Sequence, residues 1–201
     1  GYFFFLNKIV QVTRDEINMI EYWEFDKLIW ESSIIPMDFV PVNQDDLFRD
    51  SDFLKFLVDL SITEKTEESD SRFKSLASAV GYLIHRHKDP ATTKAIILMD
   101  VYINGQPNGG SGKTLLINSI GKVRKLSIID GKKYDQREWF ALSSVDVNSE
   151  IVLFDDVEKN FNLEQIFPMM STGMELRQKY KNNVFIPFDK APKIAITTNY
   201  A

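Results

Sequence analysis

The segment Gly105-Gln-Pro-Asn-Gly-Gly-Ser-Gly-Lys-Thr114 places glycines directly before a lysine and a hydroxyl residue. Glycine at 109, 110 and 112 lets a backbone turn its N–H groups inward around an anion without Cβ clashes. Asn108, Gly109, Gly110, Ser111 and Gly112 would form the cradle. The Lys113 ammonium would reach the outer phosphates of a nucleotide such as ATP, and the Thr114 hydroxyl would bind Mg²⁺. A helix after such a loop adds the positive end of its dipole. One position departs from the G-x-x-x-x-G-K-[ST] spacing: Pro107 stands where the first glycine belongs, and Gly105 lies two residues earlier.

Two further groups could complete such a site. The apolar run Ile151-Val-Leu-Phe154 ends in Asp155-Asp156. A buried strand delivering two carboxylates beside a phosphate loop can hold a Mg²⁺ shell with one and polarise an attacking water with the other. Pro192-Lys-Ile-Ala-Ile-Thr-Thr-Asn199 is a second apolar strand ending in an amide that can hydrogen-bond a γ-phosphate or that water. Taken singly, such aspartates also make solvated turns and such an asparagine a plain strand end. Between the two lies Glu175–Phe188, which alternates, turns at Lys181-Asn182-Asn183 and alternates again, as a β-hairpin does. Residues 177–193 carry Arg177, Lys179, Lys181, Lys190 and Lys193 against Asp189 alone. Arg177, Lys179 and Lys181 could grip a phosphodiester backbone and Tyr180 could stack on a base. Lysines that guard exposed edge strands would look the same.

The elements that must position these residues follow from periodicity. Residues 1–42 read as a β-rich segment: a hairpin of Tyr2–Leu6 and Ile9–Thr13 about Asn7-Lys8, then a strand over 28–35. Residues 43–90 read as a helical lead-in. One helix is expected over Asp45–Leu60 and another over Arg72–Lys88, capped from Ser69–Ser71, with a polar loop over Thr63–Asp70 between them. Residues 91–201 alternate. Strands are expected at Ala95–Tyr102, Leu126–Ile129, Ile151–Phe154 and Lys193–Thr198, and helices at Lys113–Ile120, Asp135–Leu142 and Leu163–Met170. That alternation predicts an α/β fold with a parallel sheet covered on both faces. Trp23, Trp30 and Trp139 are expected to pack, and Tyr2–Phe5 to lie in a core or subunit contact. His85 and His87, two apart on a helix, would point to different faces and could not chelate together.

The bulk composition excludes several classes. The 201 residues contain no cysteine, so neither disulfides nor thiolate metal sites are available, and a cytoplasmic setting is the default. No apolar run approaches the ~18 residues that cross a bilayer, so no membrane partner is expected. The net charge of −5 is unevenly spread: residues 1–90 hold 10 Lys/Arg against 17 Asp/Glu, and residues 91–201 hold 14 against 12. Any phosphate-backbone contact therefore belongs to the second half.

Four segments together, Gly-Gly-Ser-Gly-Lys-Thr114, Leu-Phe-Asp-Asp156, Met-Ser-Thr-Gly-Met-Glu-Leu-Arg-Gln-Lys-Tyr180 and Ile-Thr-Thr-Asn199, resemble the A, B, B′ and C motifs of superfamily 3 helicases. More narrowly they resemble the primase-associated helicases of phages, prophages and large DNA viruses, and Ala79-Val-Gly-Tyr-Leu-Ile-His85 resembles the helical lead-in of that group. The resemblance implies an AAA+-like P-loop ATPase that uses ATP and Mg²⁺, with Lys113, Asp155, Asp156 and Asn199 catalytic and Thr114 and Asp155 at the metal. By analogy Asp155 takes the metal role and Asp156 the water. It further implies a homo-oligomeric, usually hexameric, ring in the full-length protein, moving on single-stranded DNA with the hairpin in its channel and working with a primase. An arginine finger and a helical lid are expected beyond the C motif. The chain stops two residues after Asn199, so as given it is expected to assemble poorly and to hydrolyse ATP weakly. A packaging or remodelling motor, or an assembly module docking a primase, would share the nucleotide site.

Overall fold

Aromatic and β-branched residues suit a pleated, half-buried surface, and the chain begins with two such runs. β1 (Tyr2–Phe5) and β2 (Ile9–Val12) form a hairpin with Phe3 opposite Val10, closed by the Phe5 N–H donating to the Lys8 carbonyl at 2.9 Å. β3 (Ile17–Ile20), which the sequence pattern did not reveal, extends the sheet beyond β2. β4 is only Ile34–Ile35 and pairs parallel with β1, giving the order β3-β2-β1-β4. The longer strand expected over 28–35 does not form. A 3-10 turn at Glu31–Ser33, closed by the Ser33 N–H on the Trp30 carbonyl, takes its place. Phe5, Ile9, Val10 and Ile35 are buried, whereas Trp23 and Trp30 are each 81% exposed, so neither packs as expected.

The computed structural model describes residues 1–61, 67–100, 102–103, 106–107, 110–177 and 182–200. Within them the helix expected over Asp45–Leu60 is broken in two, α1 (Leu47–Asp50) and α2 (Asp52–Ser61). Ser51 makes the break: its backbone is extended, and its hydroxyl accepts the Leu54 N–H at 3.1 Å to start the second piece. α3 (Glu67–Ile84) begins before Arg72 and ends before Lys88. Glu67, Glu68 and Asp70 in its first turn complement the helix dipole, which is why a stretch polar enough to read as loop is helical. The chain divides into two compact units, Gly1–Ser78 and Ala79–Ala201.

The second unit continues through β5 (Ala95–Met99), the two-residue β6 (Tyr102–Ile103) and β7 (Gln106–Pro107), α4 (Lys113–Ile120), β8 (Leu126–Asp130) and β9 (Ile151–Val157). It ends with α5 (Phe167–Ser171), β10 (Gly173–Leu176), β11 (Val184–Pro187) and β12 (Lys193–Thr198). β5, β12, β9 and β8 form an all-parallel sheet in that order, so β12 lies between the strand that leads to the glycine-rich loop and the strand that carries the aspartates. β9 and β12 are buried on both faces, as central parallel strands must be. Val152, Phe154, Ile194 and Ile196 share a core with Ile166, Met174, Leu176 and Ile186. Ile151, Leu153 and Ala195 face the other way and are equally buried. α4 packs on β12 with Leu116, Ile117 and Ile120 inside, each contributing about 1.5–3 kcal/mol of apolar burial.

Two expected helices differ. Residues 135–142 form successive turns, with Glu138, Ala141, Ser143 and Val145 each donating a backbone N–H to the carbonyl three residues back. The Asp135 carboxylate accepts the Arg137 N–H and its guanidinium, a local bond that competes with helix. The segment over Leu163–Met170 is a 3-10 turn, Leu163–Ile166, followed by α5, whose Pro168 occupies the first turn and lacks an N–H to continue the preceding one. Among the described residues no helix is long and apolar enough to cross a membrane.

Candidate functional site

In a parallel sheet all strands end on one edge, and that edge is where chain reversals can bring distant side chains together. Here Asp100 follows β5, Asn199 follows β12, Asp155 and Asp156 lie in β9, and Asp130 ends β8. α4 starts at the same edge. Its N-cap, Gly112, adopts φ 84° and Gly110 adopts φ 82°, backbone conformations that disfavour any side chain. Gly112 offers no side chain to cap α4, so among the described residues the N-cap leaves the first N–H groups of the helix without a side-chain oxygen. Asn108 and Gly109 lie outside the described residues, as does Gly105, and Pro107 is in β7.

Hydrogen bonds join the predicted residues into one group. Lys113 Nζ donates to Asn199 Oδ1 at 3.1 Å, and Asn199 Nδ2 donates to Asp156 Oδ1 at 3.2 Å. Thr114 Oγ1 donates to Asp155 Oδ1 at 2.7 Å. Lys113, Thr114, Asp155, Asp156 and Asn199 thus meet although they come from three separate elements. Mg²⁺ takes hard oxygen ligands, and neighbouring ligands on its octahedron stand about 3 Å apart. The Thr114 and Asp155 oxygens, both hard and 2.7 Å apart, fit that requirement.

The aspartates lie inside β9, not after it. The pairing of Ile196 with Phe154 is followed by that of Thr198 with Val157, so β9 carries one extra residue there. Asp156 has φ 55°, the one non-glycine residue with positive φ among those described. Such a bulge re-aims a side chain. On a regular strand Asp155 and Asp156 would point to opposite faces. With the bulge, Asp155 meets Thr114 while Asp156 meets Asn199.

Three contributors were not singled out from the sequence. Thr197, 1% exposed, donates its hydroxyl to Asp155 Oδ1 at 2.6 Å and accepts the Asp156 N–H at 2.8 Å, fixing the Asp155 carboxylate and the Asp156 backbone. Lys132, in the turn after β8, forms an ion pair with Asp156 at 2.5 Å, and that bond raises the lysine pKa. Asp100 forms an ion pair with Lys113 at 2.5 Å. Their only sequence signal is position: each stands at or just past the end of an apolar strand.

The hairpin pairs β10 with β11, from Gly173 opposite Pro187 to Leu176 opposite Val184. Its tip residues Lys179, Tyr180 and Lys181 lie outside the described residues. Arg177 is engaged at the base. Its guanidinium lies 4.2 Å from the centre of the Trp139 ring and donates to Glu175 at 2.9 Å. Trp139, expected to pack, is 62% exposed and serves as the platform under Arg177. His85 and His87 both lie beyond the end of α3, with ring centres 6.3 Å apart, and His85 Nδ1 is 3.0 Å from Lys193 Nζ.

The second unit is therefore a mixed α/β body whose glycine-loop helix, twin aspartates and terminal asparagine share one sheet edge. No family model matches the chain, and no curated protein matches it. Among solved structures it is similar to one described as "The A form apo structure of NrS-1 C terminal region-CTR", with 14% identity and a TM-score of 0.49 over 96% of this chain and 53% of that one. The chain spans about half the length of that solved chain.

Proposed function

We propose that the second unit is the ATPase core of a superfamily 3-type helicase, coupling ATP hydrolysis to movement on single-stranded DNA in phage or mobile-element replication. One observation supports the reading above the rest: Lys113, Thr114, Asp155, Asp156 and Asn199 form a connected group at the carboxyl edge of a parallel sheet. In this reading Lys113 binds the β- and γ-phosphates. Thr114 and Asp155 hold Mg²⁺, which supplies neutralisation of phosphate charge. Asp156 orients and polarises the attacking water. Asn199, hydrogen-bonded to both Lys113 and Asp156, is placed to report to each whether a γ-phosphate is present. Arg177, Lys179, Tyr180 and Lys181 belong to the hairpin that contacts DNA. The partners are single-stranded DNA, further copies of the full-length chain in a hexameric ring, and a primase, in the cytoplasm.

Strand separation on a forked duplex by the full-length protein tests the motor. ATP-dependent unwinding that is lost in Lys113→Ala is expected. Steady ATP turnover with no strand separation would instead indicate a packaging or remodelling motor.

A further inference from the structure

Most P-loop chemistry concerns what the lysine does once phosphate is present; in this chain the lysine already has a partner. Lys113 Nζ lies 2.5 Å from Asp100 Oδ1. The same oxygen accepts the hydroxyl of Ser111, a residue of the loop itself, and Lys113 Nζ is also 3.3 Å from Ser111 Oγ. The Asp100 side chain is wholly inaccessible, and that of Lys113 is 13% exposed. Asp100 Oδ2 is buried and has no hydrogen-bond partner among the described residues. A buried carboxylate with one oxygen unsatisfied depends on its remaining partners. Here those partners are the two loop residues that a phosphate would also recruit.

We propose that Asp100 is a competing anion that sets nucleotide affinity: it holds the Lys113 ammonium and the Ser111 hydroxyl, and a β- or γ-phosphate must draw them from it. The inference rests on the nucleotide-site reading of Lys113 and deepens it. Two effects act in the same direction. Breaking the Asp100–Lys113 pair costs free energy because both groups are largely desolvated. The phosphates then arrive beside a buried carboxylate of their own sign. Asp100 is a positioning residue acting through Lys113, and it touches no substrate atom in this scheme.

Asp100→Asn keeps the side chain's shape while removing its charge. Binding of Mg-ATP to the full-length protein, measured by titration calorimetry, should tighten about tenfold, the scale of one charge-assisted hydrogen bond. ADP should follow in part through its β-phosphate, and AMP should not change. In a Lys113→Met background the Asp100→Asn change should tighten ATP binding clearly less, since only the direct repulsion and the Ser111 contact remain, a coupling that a merely structural role for Asp100 would not produce. Thermal unfolding of Asp100→Asn establishes that the variant folds, and Asp100→Ser serves if it does not. Unchanged or weaker ATP binding in the folded variant overturns the proposal, and so does tightening of the same size in the Lys113→Met background. If the wild type binds no ATP and Lys113→Met changes nothing, the nucleotide-site reading itself has failed, and the inference falls with it.

Discussion

Asp156 is the residue at which backbone and chemistry meet. Its φ of 55° is tolerated because a short polar side chain visits the left-handed region at lower cost than most. Asn shares that tolerance, so Asp156→Asn should preserve the bulge and the Thr197 contact to its N–H while removing the carboxylate. Turnover of ATP should fall about 10²- to 10⁴-fold, the usual worth of a positioned acid–base group, with little change in ATP binding or melting temperature. Near-normal turnover in a rapid-quench assay would remove Asp156 from the chemistry. At this scale the sequence was informative wherever a residue type carries its own signature. Lysine after glycine, paired aspartates and a terminal asparagine all fall in that class. Thr197, Lys132 and Asp100 carry no such mark. Their roles arise only when three strands end side by side.

Among the elements, the end of α3 shows how much depends on packing. Its last carbonyls are orphaned by helix geometry. Lys193, the first residue of β12, donates to the Tyr82 carbonyl at 2.5 Å and to the His85 carbonyl at 2.5 Å, while Arg124 donates to the Ile84 carbonyl and pairs with Glu150 at 3.2 Å. Cations are favoured at that end. Burial, then the charges of Arg124 and Lys88, nonetheless hold the Lys193 ammonium down at about 8. The unfolded chain keeps that proton to about pH 10.4. Between these values the unfolded state binds more protons, so this lysine lowers stability fully below pH 8 and progressively less as pH rises towards 10.4. Denaturant unfolding should show wild type gaining stability relative to Lys193→Met from about pH 8 to about pH 10; a constant difference would contradict the assignment.

The long elements were legible where one period dominated: α4, β8 and β12 lie close to their expected positions. Others were not. Asp135 and Arg137 bond each other locally and turn the chain, Ser51 interrupts one helix, and Pro168 restarts another. β9 runs past Phe154 because a bulge, invisible in hydrophobic pattern, lets two charged residues remain in the ladder. At the hairpin, alternation gave the strands, yet the stacking of Arg177 on an exposed Trp139 joins segments far apart in sequence.

For the molecule as a whole, the strand order matters most. Placing β12 between β5 and β9 puts Asn199 between Lys113 and Asp156, and no local pattern predicts that neighbourhood. The uneven charge acts at the same scale. The first half is net acidic, and residues 177–193 carry five Lys/Arg against one Asp, a charge balance that favours a polyanion there over the first half. The proposed DNA-coupled ATPase should respond to its track. The most direct measurement is therefore ATP hydrolysis by the full-length protein with and without single-stranded DNA, in the wild type and in Lys113→Ala. Single-stranded DNA should stimulate turnover, and Lys113→Ala should reduce it by at least about a hundredfold. Turnover indifferent to DNA, or undiminished in Lys113→Ala, would contradict the proposed function.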